Sequence, residues 1–197
     1  MGIIKIVFGG RRRKATVKTK PRPAKGTPVK YVRDKFWVEG RQYEVKLHQA
    51  TRNRVQINEQ SLTVSLTAMT RENFAALMDG WYRRRARAAF ANALDRWLPE
   101  FRERGYEVPA PRLKLFRMRR AWGRCYYTKG LITINLHLIK ASPECFDYIV
   151  LHELCHFVIN SHSKAFHALL AGIMPDWQEV DRWLKDFARS SRILESF

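Results

Sequence analysis

Phe146-Asp147-Tyr148-Ile149-Val150-Leu151-His152-Glu153-Leu154-Cys155-His156 is the stretch on which the reading of this chain turns. Ser142-Pro143-Glu144 just before it predicts a helix start: a capping hydroxyl, a proline at the first helical position and an acid in the first turn. On a helix, residues four apart stack one turn above the other, so His152 and His156 share a face. Their imidazoles can then converge on a single cation. Glu153, one position from His152, falls beside that cation's open side, where it can take a proton from a water.

A histidine on an apolar helix face is most often a hydrogen-bonded core residue. Here two imidazoles and a carboxylate sit in a strongly apolar run, where burying them without a partner is costly. His162 follows six residues after His156. The pattern is the HExxH arrangement of zinc hydrolases, which use three protein ligands and leave a fourth position for water. His162 is the nearest third ligand and Glu179 the next choice. Asp176 and Asp181 are further carboxylates, and His167 and His137 lie more remotely. For His162 to reach the other two, the chain must reverse, and Asn160-Ser161 is expected to turn it, with Asn160 in the left-handed conformation. The spacing also matches the metzincin pattern, but Ile159 stands at its glycine position and no Ser-Met turn follows, which argues against that group.

At 197 residues the chain has room for one packed domain, or one with an appendage. No apolar run is long enough to span a bilayer, and the start of the chain makes a poor signal peptide. Three cysteines, Cys125, Cys145 and Cys155, with no Cys-x-x-Cys pair, fit a reducing, cytoplasmic setting. The net charge is +19 and unevenly spread: residues 1–140 hold 32 Lys/Arg against 10 acids, residues 141–197 hold 5 against 8. Such asymmetry points to a polyanionic partner, most simply nucleic acid, reached through a basic arm and the Arg83–Arg87 cluster. A solvated basic surface is the plainer alternative.

Residues 1–30 read as that arm: 11–30 carry nine Lys/Arg, no acid and three prolines. Residues 31–70 alternate apolar and polar positions around an expected turn at Glu39-Gly40, which predicts a β-meander. From a cap at Thr70, an amphipathic stripe through Phe74, Met78, Trp81, Phe90, Leu94 and Trp97 predicts a long helix. Pro99 is expected to kink or break it, and Gly105 to end it. Leu113–Met118, Trp122–Tyr127 and Leu131–Leu136 read as strands. Ser163 is placed to cap a helix through Ile173, and Trp177, Val180, Trp183, Leu184 and Phe187 make a last one.

Four elements together, Trp122-Gly123-Arg124-Cys125, Gly130 to Leu138, Phe146 to His156 and Asn160-Ser161-His162-Ser163-Lys164-Ala165-Phe166, resemble the YgjP-like metallopeptidase family, related to SprT-like zincins. That family has a Trp-Gly-x-Cys element, a strand ending in Asn-x-x-Leu, a helix with Tyr-Val-x-x-His-Glu-Leu-x-His, and then Asn-His-Ser-x-x-Phe. Here Arg124 stands where a small residue is usual, and Ser161 separates Asn160 from His162. The resemblance implies zinc on His152, His156 and His162, Glu153 as catalytic acid/base, and peptide bonds as substrate. It implies an α+β fold with a zincin-like core of the SprT or minigluzincin kind: a small sheet packed on the HExxH helix over 71–197, preceded by the meander and long helix, with 31–197 as one compact unit. A nucleotide phosphohydrolase on the same site, or a non-catalytic zinc-stabilised nucleic-acid-binding module, are the alternative readings.

Overall fold

The structure, a computed structural model, describes residues 3–5 and 35–191; the basic arm expected over residues 1–30 lies almost wholly outside them. In chain order the elements are β1 (Ile3–Lys5), β2 (Lys35–Val38), β3 (Arg41–Gln49), β4 (Arg54–Ile57), β5 (Ser61–Leu66), α1 (Arg71–Glu103), β6 (Arg112–Phe116), β7 (Ala121–Tyr126), β8 (Leu131–Asn135), α2 (Pro143–Val158), α3 (Lys164–Ile173) and α4 (Trp177–Ser191). This is a mixed α+β chain.

Among the described residues, two compact units are distinguished. One holds residues 3–5, Trp37–Gln42 and 82–191; the other holds residues 35–36 and Tyr43–Trp81. The division falls inside β2, inside β3 and inside α1.

The first sheet has the order β2-β3-β5-β4, with β3 and β5 parallel and β4 antiparallel to β5. The expected meander is therefore corrected. Alternation tells which face of a strand is buried, but not which strand it pairs with. β5 is the strand with most to bury, with Leu62, Val64 and Leu66 fully enclosed, so it takes the interior place between β3 and β4. The Glu39-Gly40 turn forms as expected, with both residues at positive φ (48° and 79°), the combination favoured in two-residue hairpins. Its backbone is tied down by Glu39 N–H to Ile139 O and Gly40 N–H to Lys140 O, both 3.0 Å.

α1 begins as predicted, with the Thr70 hydroxyl accepting from Asn73 N–H at 3.2 Å. It does not stop at Pro99. The missing proline N–H falls near the helix end, where continuing for one more turn costs little beyond a single bond. Gly105, at φ 78°, makes the actual stop, with Tyr106 N–H reaching back to Phe101 O at 2.9 Å.

The second sheet positions the candidate site. Its order is β1-β7-β8-β6, with β6 parallel and β7 antiparallel to β8, and β1 antiparallel to β7. β8 ends in Asn135, whose side chain receives His137 N–H and starts a 3-10 turn over Leu136–Lys140. That turn delivers the chain to α2, which packs against β7, α3 and α4. Among the described residues no helix is long and apolar enough to cross a membrane.

Candidate metal centre

α2 is buried along most of its length because it is apolar nearly all round; Ile149, Val150, Leu151 and Leu154 are fully enclosed. Ser142 occupies its cap position, and Pro143 its first turn, as expected. The Ser142 hydroxyl nevertheless makes no capping bond; its backbone carbonyl accepts from Cys145 N–H at 3.1 Å instead.

The helix carries His152, Glu153 and His156 into the interior, at 4%, 0% and 1% exposure. It ends at Val158. Ile159 then turns extended (φ −132°, ψ 111°), and the chain bends at Asn160 and Ser161. Asn160 does not adopt the left-handed conformation; the only non-glycine residue at positive φ among those described is Glu39. An extended Ile159 redirects the chain without that conformation, and Ile159 O accepts from His156 Nδ1 at 3.1 Å. A carbonyl can only accept, so Nδ1 carries the proton and Nε2 of His156 keeps its lone pair. That Nε2 is buried and has no hydrogen-bond partner.

The reversal returns His162 to the same place. Ring nitrogens of His152, His156 and His162 lie within 4.8 Å of one another, the only such group among the described residues. His152 Nε2 stands 2.9 Å from His162 Nε2. His162 is exposed, so the cluster opens to solvent on that side. Phe166 forms its floor: the ring is fully buried, with centroids 4.8, 4.6 and 4.9 Å from those of His152, His156 and His162. It is held there by α3, whose cap Ser163 accepts from Phe166 N–H at 3.4 Å.

The electrostatics are those of imidazoles kept neutral. Burial first, then the neighbouring histidines, lowers His152 to about 2. Burial lowers His156 to about 4, against the raising effect of its bond to Ile159. His162 is lowered as well, by burial and by His167. Neutral imidazoles are the form that binds a metal, and three of them, one with a buried unpaired Nε2, are a donor set that fits zinc. His152 Nδ1 is buried without a partner, so the hydrogen bond that usually orients a ligand histidine is missing for this ring.

Glu153 lies against β7. A Cβ built on Gly123 would lie 2.3 Å from Glu153 Oε1 and 2.8 Å from its Cδ. The carboxyl therefore rests directly on the backbone of the strand, in space that only glycine leaves open. Burial pushes its pKa well above the ordinary carboxylate value, opposed by the Cys125 backbone N–H, yet neither oxygen completes a hydrogen bond. Gly123 is the residue the sequence reading missed as a determinant of the site. Its signal was the Trp-Gly pair itself: a glycine inside a strand marks a close approach of another group.

The other candidates lie elsewhere. Glu179 and Asp176 are exposed and border a pocket with Ser142 and Cys145, at the opposite end of α2 from His156. Asp181 holds Lys185 at 2.5 Å. His167 stacks on Trp177 at 5.3 Å, and its ring is 6.4 Å from that of His162. His137 is buried in the 3-10 turn and outside the group. Cys125, also outside it, is a buried thiol pushed up to about 12 by burial and by Glu153. The Arg83–Arg87 cluster is not one cationic face. Arg83 donates to Leu115 O at 3.1 Å and Arg85 binds Glu39 at 2.7 Å, while Arg84 and Arg87 are exposed. Consecutive helical residues point about 100° apart, so a run of arginines is dispersed around the axis.

The family model of the YgjP-like metallopeptidase domain matches residues 11–187. The chain belongs to the YgjP-like metallopeptidase family. A metal-dependent peptidase is what its membership makes it. Among solved structures, the YgjP-like chain is similar to the metallopeptidase zymogen of Pyrococcus abyssi abylysin, at 19% identity and a TM-score of 0.41, over 54% of this chain and 95% of the other. No curated protein matches it.

Proposed function

We propose that His152, His156 and His162 hold one zinc ion and that Glu153 is the proton carrier of peptide hydrolysis. The observation that carries this reading is the pairing of three convergent imidazoles with a fully buried, unpartnered carboxyl on the next residue of the helix. Bound there, zinc supplies a Lewis acid and lowers the pKa of a water to about 7. His162, on the open side, leaves room for substrate to approach. Glu153 accepts a proton at its carboxylate as the scissile carbonyl is attacked, and returns it to the leaving amine. Its raised proton affinity suits that exchange, and Gly123 fixes where the carboxyl stands. Phe166 packs on the rings and keeps water from behind them. All three cysteines are buried and free of disulfides, which fits a protein working in a reducing, cytoplasmic interior.

The test is metal content and hydrolysis of a mixed peptide library by wild type and Glu153→Gln. Full zinc with turnover reduced by about 10²–10⁴ is expected. Turnover that survives the substitution would remove Glu153 from the mechanism; loss of zinc would make it a support for the metal.

A further inference from the structure

Strand register sorts the second sheet into two faces. Residues of one paired set, Leu115, Gly123, Cys125, Ile132 and Ile134, are buried. The alternate set places Lys114, Thr133 and Arg124 side by side across β6, β8 and β7. Phe116 extends this second face and is 56% exposed. The loop after β6 completes it: a basin of about 420 Å³ is lined by Lys114, Arg117, Arg119, Arg120 and Arg124 with Phe116. No Asp or Glu occurs between Glu107 and Glu144. Among the described residues, no carboxylate pairs with Lys114, Arg119, Arg120 or Arg124. The loop is fixed rather than loose. Buried Asn135 donates to Met118 O at 2.8 Å and to Ala121 O at 2.9 Å, and accepts from Met118 N–H at 3.3 Å.

We propose that this sheet face binds single-stranded nucleic acid. Lys114, Arg119, Arg120 and Arg124, with no carboxylate paired to them among the described residues, repel one another, and a polyanion relieves that repulsion while releasing its own condensed ions. Charge alone would suit an acidic protein equally. Phe116 decides between them: an exposed ring beside the cations is a stacking platform for unpaired bases and offers nothing to a carboxylate. A duplex keeps its base faces inside the helix, so it matches the cations but not the ring. The surface shares no residue with the imidazole cluster and does not depend on the catalytic reading.

The experiment is fluorescence anisotropy of the full-length chain on labelled oligo(dT) and oligo(U) over a salt series, with a duplex of the same length as reference. The triple variant Lys114→Gln/Arg120→Gln/Arg124→Gln should flatten the log–log salt slope on single strands by about 2, at about 0.7 per contact. A charge-matched variant away from the face, Arg52→Gln/Arg54→Gln/Arg71→Gln, should leave it unchanged. Phe116→Ala should weaken single-strand binding about tenfold at constant slope and leave duplex binding alone, and Phe116→Tyr should restore it. Tight binding of either oligonucleotide in this pattern supports the proposal. Equal losses in the two triple variants would overturn it, because charge then acts without a site. So would wild-type affinity in Phe116→Ala with polyglutamate displacing the oligonucleotide, which would assign the face to an acidic protein.

Discussion

The two faces of one strand, β7, differ in almost every physical respect. On one, Gly123 and Cys125 are dry, and a carboxyl group presses on the backbone. On the other, one residue along, Arg124 stands in water beside Lys114 and three more arginines. The dry face depends on shape: what is absent, a methyl group at position 123, makes the space for Glu153. The wet face depends on charge, which acts at a distance and is screened by salt. A substitution should therefore be judged by volume on the first face and by charge on the second.

The sharpest way to break that contrast is Gly123→Ala. A Cβ at 2.3 Å from Glu153 Oε1 cannot be accommodated without moving either the carboxyl or the strand. We expect peptidase activity to fall by about 10²-fold or more, with about 1–3 kcal/mol lost in stability from overpacking. Zinc content should be retained, since the three atoms nearest the new methyl group all belong to Glu153 and none to an imidazole. Kinetics with metal analysis on the same sample checks this, and wild-type activity would show that Glu153 need not stand where it does.

Next in size is the effect of acid on the metal-free protein. His152 and His156, at about 2 and about 4 when folded, refuse protons that the unfolded chain takes up below about 6.5. Their contribution is therefore whole above pH 6.5 and is lost as pH falls towards their folded values. At pH 5 each costs about 2 kcal/mol. Urea melts of chelator-treated protein at pH 7.5 and 5 should show the loss, and His152→Ala should remove about half of it. A flat profile would mean that the rings are wetter than they stand here.

Ligand substitution separates the cluster from its carboxylate rival. His162→Ala should lose most of the zinc, while Glu179→Ala, exposed at the far end of α2, should keep it. The reverse result, read by metal analysis after dialysis, would move the third ligand to Glu179. The smallest effect belongs to Arg85→Ala. Its pair with Glu39 is about one-third exposed on either side, so about 0–1 kcal/mol is expected, and less in high salt. A larger loss would come from Glu39, held at positive φ in the turn that this pair braces.

The elements that the sequence defines are those whose cause is local. The limits of α2, α3 and α4 and the three strands ahead of them follow from periodicity, a proline at a helix start and a serine cap. The spacing of His152, His156 and His162 likewise placed three donors where a single turn could gather them. What local pattern does not carry is partnership. The parallel pairing of β3 with β5 depends on which strand most needs an interior place, and alternation is silent about that. Asn160 was a plausible left-handed residue, but an extended Ile159 reversed the chain and aligned His156 at the same time. The role of Gly123 lies in a contact thirty positions away in sequence, and only the absence of a side chain announces it. The arginines of α1 looked like one surface and are several, whereas the cations around β6 and β7 form one because sheet register lines them up.

The pairing of Ile3–Lys5 with Ala121–Arg124 has a consequence for the order of assembly. β7 and β8 are joined by a short turn and can zip as soon as both have emerged from synthesis. β1 must wait for a partner more than a hundred residues downstream, and closing that loop costs about 3 kcal/mol more than closing the turn, by its logarithmic dependence on length. The outermost strand is thus made first and docked last, and in slow hydrogen exchange it should be the first edge of the sheet to open.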